Sequence, residues 1–265
     1  MTYERLADPA YWDEAASAYE AMAQPFTDVF AQAAVDVLEL ARGMHVLDVA
    51  AGTGAAAAAA ARTGADVTAI DFSPGMIGRI VARDLPRVTA RVMDGQALDF
   101  PDAVFDASVS VFGVMLFPDW RAGLREMARV TRPGGRAAIA VWRDADGAAT
   151  TLLLAQVRRA LWPDMATPLL DGVATLADPG RVTDAMKTAG FADVTTTEVT
   201  SDFRLKIAAL DRAEELFAVS PLWTMLTREQ QAIALAEIRR RAERDGDGEI
   251  LPVPSTALIA TGRRR

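Results

Sequence analysis

The chain has 265 residues, of which 51% are hydrophobic, and its formal net charge is −8. This length fits one large α/β domain with its own core, and the acidic balance excludes a broad nucleic-acid footprint, which requires a basic surface. The absence of cysteine excludes disulfides, thiolate catalysis and cysteine-ligated zinc. The sequence also lacks a signal peptide pattern and a long apolar segment. We therefore expect a cytoplasmic protein without membrane insertion that binds a small molecule and no metal; its oligomeric state is left open.

The first part of the chain predicts two helices followed by a parallel sheet. The helices cover residues 10–23 and 27–41, and strand-like runs then alternate with helical patterns as far as residue 142. Ser73-Pro74 and Asp119 are typical helix starts, and "RPGG" is interpreted as a turn. The predicted strands are residues 45–49, 66–71, 88–93, 104–111 and 135–142.

The later part of the chain predicts two helical insertions around one strand. The insertions cover residues 146–177 and 207–246, and a helix from Asp178-Pro179 to Gly190 leads into a sixth strand at 191–199. Residues 249–262 form a seventh strand, placed at the sheet edge because it contains two prolines. The domain plan is thus a single domain with N-terminal helices (1–43), a core (44–145) and two insertions that cap the carboxyl edge of the sheet.

The stretch "VLDVAAGTGAAAAAAA", residues 46–61, predicts a buried strand, a tight turn and a helix. Glycines in such a turn let the backbone approach a ligand that a Cβ would block. The alanines bring the helix close to the sheet. A tight turn beside a close-packed helix explains the same residues without a ligand, so the stretch alone does not decide between the two interpretations.

Three aspartates recur at the predicted strand ends. Asp48 precedes the glycine turn, Asp71 closes the second strand and Asp94 closes the third. Each alone is explained as a helix cap or a turn former. Together they line one edge of one crevice, and Asp71 lies near the offset expected of an acid that binds ribose hydroxyls in nucleoside-binding folds.

The segments "VLDVAAGTG", "VTAIDFSPGMI", "RVMDGQALDFPDAVFDASVSVFGVMLFPD" and "RPGGRAAIAVW" resemble successive motifs of class I S-adenosylmethionine-dependent methyltransferases. The similarity spans residues 44–142 and is to the small-molecule type, similar to the ubiquinone and menaquinone biosynthesis group. A quinone-biosynthesis C-methyltransferase and a secondary-metabolite O-, N- or C-methyltransferase both fit. It implies a doubly wound, mostly parallel, seven-stranded α/β sheet with a reversed last strand. It also implies S-adenosylmethionine as the cofactor.

The resemblance implies a role for each residue at the carboxyl edge. Asp48 and the glycine turn face the methionine moiety, and Asp71 binds both ribose hydroxyls. Asp94 accepts from the adenine amino group, and Phe72 and Met76 lie on either side of the adenine ring. Ala50 stands where the family usually has glycine, and we expect it to keep a negative φ. The full set of predicted cofactor contacts is Tyr19, Asp48, Ala50, Gly52, Thr53, Gly54, Asp71, Phe72, Met76, Asp94, Gly95, Gln96 and Val111.

The acceptor is expected to be an apolar or aromatic small molecule, because aromatic and aliphatic residues follow the strand ends and fill the insertions. The predicted pocket residues are Tyr11, Met22, Phe112, Met115, Phe117, Trp142 and Trp223. Methylation at oxygen, nitrogen or carbon stays open, and no catalytic base is assigned. The single histidine, His45, opens the first strand at the opposite edge and is expected to be structural.

Two other functions fit part of the sequence. Gly52-x-Gly54-x-x-Ala57 satisfies a loose dinucleotide fingerprint, but no Tyr-x-x-x-Lys pair supports a nicotinamide-dependent oxidoreductase. A protein that binds the cofactor without methyl transfer, as a scaffold, sensor or cyclase, also fits. Formation of S-adenosylhomocysteine separates that alternative from a methyltransferase.

Overall fold

The computed structural model describes residues 3–167, 169–217 and 220–265. The chain forms two compact units, which are described separately. The larger unit comprises residues 6–143, 170–199 and 257–265; the smaller comprises residues 144–169 and 200–256 with the first residues of the chain. Within the described ranges, no helix has the length and apolar character needed to cross a membrane.

Seven strands form one sheet in the order β3-β2-β1-β4-β5-β7-β6. Strands β1 to β5 pair in parallel, whereas β7 runs antiparallel to β5. This arrangement confirms the predicted doubly wound sheet with a reversed last strand. The strands are β1 His45–Val49, β2 Asp66–Asp71, β3 Val88–Val92, β4 Phe105–Val111, β5 Thr131–Trp142, β6 Phe191–Lys206 and β7 Ile250–Arg264.

The helices of the larger unit cover both faces of the sheet. Strands β2 and β3 lie on one side of β1, and strands β4 and β5 lie on the other side. The connections in these two directions are right-handed crossovers, so the helices of the two sets pack on opposite faces of the sheet. Its helices are α1 Pro9–Ala18, α2 Gln24–Asp36, α3 Ala55–Arg62, α4 Pro74–Ala82, α5 Trp120–Val130, α7 Asp171–Leu176 and α8 Pro179–Ala189. A π-helical turn, Tyr19–Ala23, joins α1 to α2.

Local sequence signals account for several of these helix ends. The side chain of Ser73 accepts a hydrogen bond from the backbone of Met76, and Asp119 caps α5 in the same way through Ala122. Both side chains satisfy a first-turn amide that has no partner inside the helix. Five consecutive alanines of α3, residues 56–60, are buried, which agrees with close packing of this helix.

The smaller unit has a hydrophobic core of its own. It contains α6 Ala149–Leu161, α9 Ala213–Leu216, α10 Pro221–Met225 and α11 Arg228–Asp245. Trp223 is buried in this core, where its ring stacks on Phe217 and its indole N–H donates to Glu214. A capping box, formed by Thr227 and Gln230, is present at the start of α11.

Three sequence predictions of local structure are wrong. The seventh strand lies between β5 and β6; its prolines precede Ala257, where pairing with β5 begins, so they interrupt none of those bonds. The "RPGG" segment lies within β5, where a register shift against β4 accommodates extra residues. The second helix ends at Asp36 rather than near residue 41.

Candidate cofactor and acceptor site

The strand order reverses between β1 and β4, and such a reversal marks the crevice of an open α/β sheet at the carboxyl ends of its strands. The two strands pair in parallel through Val46–Ala107, Leu47–Ser108 and Asp48–Val109. Right-handed crossovers take the helices that follow β1 and β4 toward opposite faces of the sheet, which is the geometric reason for a crevice at this point. Ligands of open α/β sheets bind at such a point.

Asp71 ties together two loops at this edge. One carboxylate oxygen, Oδ2, accepts a hydrogen bond of 2.9 Å from the backbone amide of Gly52, and Oδ1 accepts one of 3.0 Å from the amide of Ser73. Burial raises the pKa of Asp71, and the two amides oppose this rise. Each oxygen retains a further lone pair, so the carboxylate can accept two additional hydrogen bonds.

Asp48 is a buried carboxyl group with unsatisfied hydrogen-bonding capacity. Only 1% of the residue is exposed, and neither oxygen has a hydrogen-bond partner of ordinary geometry. Burial raises its pKa to about 7; the backbone amide of Ala57 offsets part of the shift, and the nearby charge of Asp71 adds to it. A buried carboxyl group without a partner is costly, and a cationic ligand would satisfy it.

The glycine turn between β1 and α3 is held from two directions. Gly52 and Gly54 have φ values of +55° and +89°, which glycine adopts without a steric penalty. The hydroxyl of Thr53 donates to Gln24 of α2 at 2.5 Å, while Arg83 at the end of α4 donates to the carbonyl of Thr53 at 2.8 Å. The turn therefore presents its backbone to the crevice in a defined conformation.

The expectation that Ala50 keeps a negative φ is wrong. Its φ is +55°, in the left-handed region that favours glycine. A neighbouring glycine explains how the alanine fits: a Cβ added at Gly113 would overlap the Cβ of Ala50. The end of β1 therefore carries backbone strain, and the glycine after β4 makes room for the side chain that causes it.

Aromatic rings form a wall beside the β4 and β5 ends. Phe112, also at a positive φ of +60°, stacks on Trp142 with a centroid distance of 3.7 Å. The ring of Phe26 lies nearly parallel to that of Trp142, at a centroid distance of 6.0 Å and an angle of 11°, and Phe30 meets both Phe112 and Trp142 edge-on. We refer to Phe26, Phe30, Phe112 and Trp142 as the aromatic wall.

Two predicted site residues have a clear packing role. A Cβ at Gly95 would lie 2.7 Å from Phe117 and 2.8 Å from Val49, so the glycine accommodates these side chains. The ring of Phe117 also occupies the space beside Gly123.

Asp94 has hydrogen-bond partners within its own loop. It accepts hydrogen bonds from the backbone and side chain of Gln96, and the side-chain oxygen of Gln96 accepts one from the amide of Asp119.

The remaining predicted residues differ in burial. Tyr19 is half-buried, and burial raises the pKa of its hydroxyl. Its ring faces the Cα of Gly52, since a Cβ added at Gly52 would lie 4.0 Å from the ring. Met76 and Met115 are buried; Tyr11, Phe72 and Val111 are partly buried. The side chain of Met22 lies outside the described part of the structure, and Trp223 belongs to the smaller unit. His45 opens β1 at the other edge, beside Asp66, Thr68, Arg87 and Thr89.

Sequence reasoning missed three residues that shape this edge. Gln24 supports the glycine turn, Phe30 completes the aromatic wall, and Asp13 of α1 accepts hydrogen bonds from Ser73 and Gly75. The apolar periodicity of the second helix could have indicated Phe30. No local pattern pairs Gln24 with Thr53 or Asp13 with Ser73, because their partners are distant in sequence.

Comparison with known proteins agrees with the fold and with the resemblance of the sequence motifs. A family model described as a methyltransferase domain matches residues 46–135. A demethylmenaquinone methyltransferase of Mycolicibacterium vanbaalenii is 36% identical over 169 residues, covering 60% of this chain and 73% of that protein. The corresponding protein of Corynebacterium urealyticum is 50% identical over 103 residues, but the match spans only 39% of this chain and 44% of the relative.

A solved structure extends the similarity in fold to the whole chain. Phosphoethanolamine N-methyltransferase 2 of Haemonchus contortus, in complex with S-adenosyl-L-methionine, superimposes with a TM-score of 0.56 and 16% identity, covering 100% of this chain and 60% of that one. A doubly wound sheet with a reversed last strand is thus the fold that the structure defines. The chain belongs to the class I S-adenosylmethionine-dependent methyltransferases, and S-adenosylmethionine is its cofactor.

The strain at Ala50 predicts an unusual pair of stability effects. Ala50→Gly should raise the free energy of unfolding by about 0.5–1 kcal/mol, because relief of the left-handed conformation exceeds the entropy that glycine loses on folding. Gly113→Ala should lower it by about 1–3 kcal/mol through overlap with Ala50. Urea unfolding of both single variants and the double variant measures their coupling. Additive effects would show that Ala50 and Gly113 do not share this contact.

The buried carboxyl of Asp48 predicts a pH-dependent stability difference. Its pKa is raised on folding, so the wild-type protein loses stability as pH rises from the unfolded-state value toward about 7. Asp48→Asn removes this loss, and its stability relative to wild type should grow by about 2–3 kcal/mol between pH 5 and pH 8. Urea unfolding of the cofactor-free proteins at both pH values provides the measurement. A difference that is independent of pH would contradict the raised pKa.

Proposed function

We propose that this enzyme transfers the methyl group of S-adenosylmethionine to a planar, apolar or aromatic small molecule. The names of its relatives in Mycolicibacterium and Corynebacterium refer to demethylmenaquinone, an acceptor of this type. The net charge of −8 argues against a nucleic-acid partner. The acceptor atom, whether oxygen, nitrogen or carbon, is left open by the residues around the crevice.

The observation that carries this proposal is the pair of buried carboxyl groups at adjacent strand ends. Asp48 has two oxygens without partners, and Asp71 has spare lone pairs beside the amides of Gly52 and Ser73. The cofactor carries an ammonium group and a ribose with two hydroxyls, which are the donors that these carboxylates lack. Residues of this chain therefore fit two neighbouring parts of one molecule, the methionine end and the ribose.

The protein contributes mainly position and exclusion of water. Bound S-adenosylmethionine supplies a methyl group that its sulfonium already activates. Asp48 would hold the ammonium, Asp71 the ribose, and Gly52 would allow close approach of the backbone. Phe72 and Met76 would lie on either side of the adenine, and Asp94 would accept from its amino group. Acceptors that are sufficiently nucleophilic need no base, because correct alignment with the methyl group lowers the barrier by itself.

The aromatic wall would orient the acceptor. The stacked rings of Phe112 and Trp142 make this part of the carboxyl edge flat and apolar, and stacking against such an edge favours a planar ligand over a flexible one. Tyr11 and Met115 are further candidates for acceptor contacts. Trp223 is buried in the core of the smaller unit, so its contribution to a pocket stays a prediction.

Asp71→Ala should weaken S-adenosylmethionine binding by at least tenfold. Loss of the carboxylate leaves two ribose hydroxyls and two backbone amides without an acceptor, and each buried unpaired group costs about 1–3 kcal/mol. Isothermal titration calorimetry measures the effect, with the melting temperature as a check on folding. Asp66→Ala is the matched control, because Asp66 begins the same strand at the opposite edge and pairs with Arg87 there. Equal affinity in wild type and Asp71→Ala would contradict the assignment of Asp71.

Methyl transfer itself is tested by formation of S-adenosylhomocysteine with a panel of acceptors. Reduced naphthoquinones should support turnover, whereas aliphatic amines of similar size should not. His45→Gln should retain turnover within about threefold, a barrier change under 1 kcal/mol, because His45 lies at the far edge of the sheet. Tight cofactor binding without product for any acceptor would instead favour the alternative of a non-transferring cofactor-binding protein.

A further inference from the structure

One exposed carboxylate on the N-terminal helix contacts the cofactor edge from outside. Oδ1 of Asp13 accepts a hydrogen bond of 2.5 Å from the hydroxyl of Ser73 and one of 2.7 Å from the backbone amide of Gly75. These bonds lower the pKa of Asp13, so the group is ionised at neutral pH. Both bonds converge on a single oxygen atom.

This contact is connected to the ribose-binding carboxylate through one residue. Ser73 is fully buried; its hydroxyl also accepts from the amide of Met76, and its own amide donates to Asp71. Any movement of Asp13 away from α4 would remove a bond from the residue that orients Asp71. Helix α1 and the proposed nucleoside site are therefore mechanically linked.

The backbone of α1 approaches α4 at a place that only glycine permits. A Cβ at Gly75 would lie 2.8 Å from the Cα of Asp13 and 3.1 Å from its carbonyl oxygen. The π-helical turn that follows α1 makes a separate contact with α4, the 3.4 Å ion pair between Glu20 and Arg79. Helix α1 itself is thus docked at the start of α4 through a bare glycine and two hydrogen bonds.

With α1 docked on α4, the side chains proposed to bind the cofactor are buried. Asp48, Asp71 and Met76 are 1%, 6% and 2% exposed, although each is assigned to a part of the cofactor. The joint between α1 and α2 is the π-helical turn Tyr19–Ala23, a rare local structure that occurs frequently at functional sites. A ligand of nucleoside size could enter or leave more easily if α1 moved about this joint.

We propose that Asp13 is a positioning residue that latches α1 over the site and controls the exchange of S-adenosylmethionine and S-adenosylhomocysteine. The proposal rests on the cofactor site described under Proposed function. With the latch closed, Asp71 is held in its binding orientation and water is kept from the crevice. Release of the latch frees the product.

The test compares the dissociation rate of S-adenosylhomocysteine, measured by surface plasmon resonance, with steady-state kinetics. Asp13→Ala removes both bonds and should raise the dissociation rate at least tenfold, with a higher KM for S-adenosylmethionine and an undiminished kcat. Gly75→Ala keeps Asp13 but blocks docking, so it should act in the same direction, and the double variant should add little. Asp13→Asn retains the accepting oxygen and should behave like wild type.

Glu14→Ala is the matched control, because Glu14 is the neighbouring exposed carboxylate of α1, and its dissociation rate should stay within twofold of wild type. A dissociation rate unchanged by both Asp13→Ala and Gly75→Ala would overturn the latch. If S-adenosylhomocysteine dissociated from Asp13→Asn as fast as from Asp13→Ala, the assignment of the latch to one accepting oxygen would be wrong. Absence of S-adenosylhomocysteine binding to the wild-type protein would instead contradict the proposed function, which distinguishes the two failures.

Discussion

The hydrogen bonds that Asp71 accepts from Gly52 and Ser73 are the contacts on which the candidate site depends. Parallel strands are joined by long crossovers, so no hairpin brings the loops after β1 and β2 into register. A carboxylate at the end of β2 performs this task by accepting an amide from each loop. Burial at the end of β2 raises the pKa of Asp71. In the same buried environment, a hydrogen bond from a ligand hydroxyl to this carboxylate contributes strongly to binding, because a buried polar group without a partner is costly.

Two residues at the carboxyl edge carry backbone strain. Ala50 and Phe112 follow neighbouring strands, and both have positive φ values, which are uncommon for residues with a Cβ. Such conformations persist only where the surrounding structure imposes them, and they cluster at functional sites. Here the bare Cα of Gly113 accommodates Ala50, while the ring of Phe112 stacks on Trp142. The strained backbone therefore carries the aromatic surface proposed for the acceptor.

Predictions from local patterns were the most accurate. Hydrophobic runs located the first four strands to within one residue of their observed ends, and the caps at Ser73 and Asp119 were identified from residue type and spacing. The predicted edge position of β7 was wrong because β7 pairs with β5 from Ala257 onward, and both prolines lie before that point, where they break none of these hydrogen bonds. The φ of Ala50 was wrong because the space beside it is made by a glycine 63 positions later in the chain.

The sequence by itself determined the order of elements, the glycine turn and the acidic residues at the strand ends, because these depend on neighbours within a few positions. It also located the aromatic residues, but not which of them meet. Tertiary structure alone decided that Asp48 lacks a partner, that Asp13 docks on Ser73, and that Phe26 approaches Trp142. Each of these depends on the packing of distant segments, where burial and the available hydrogen-bond partners decide the chemistry of a side chain.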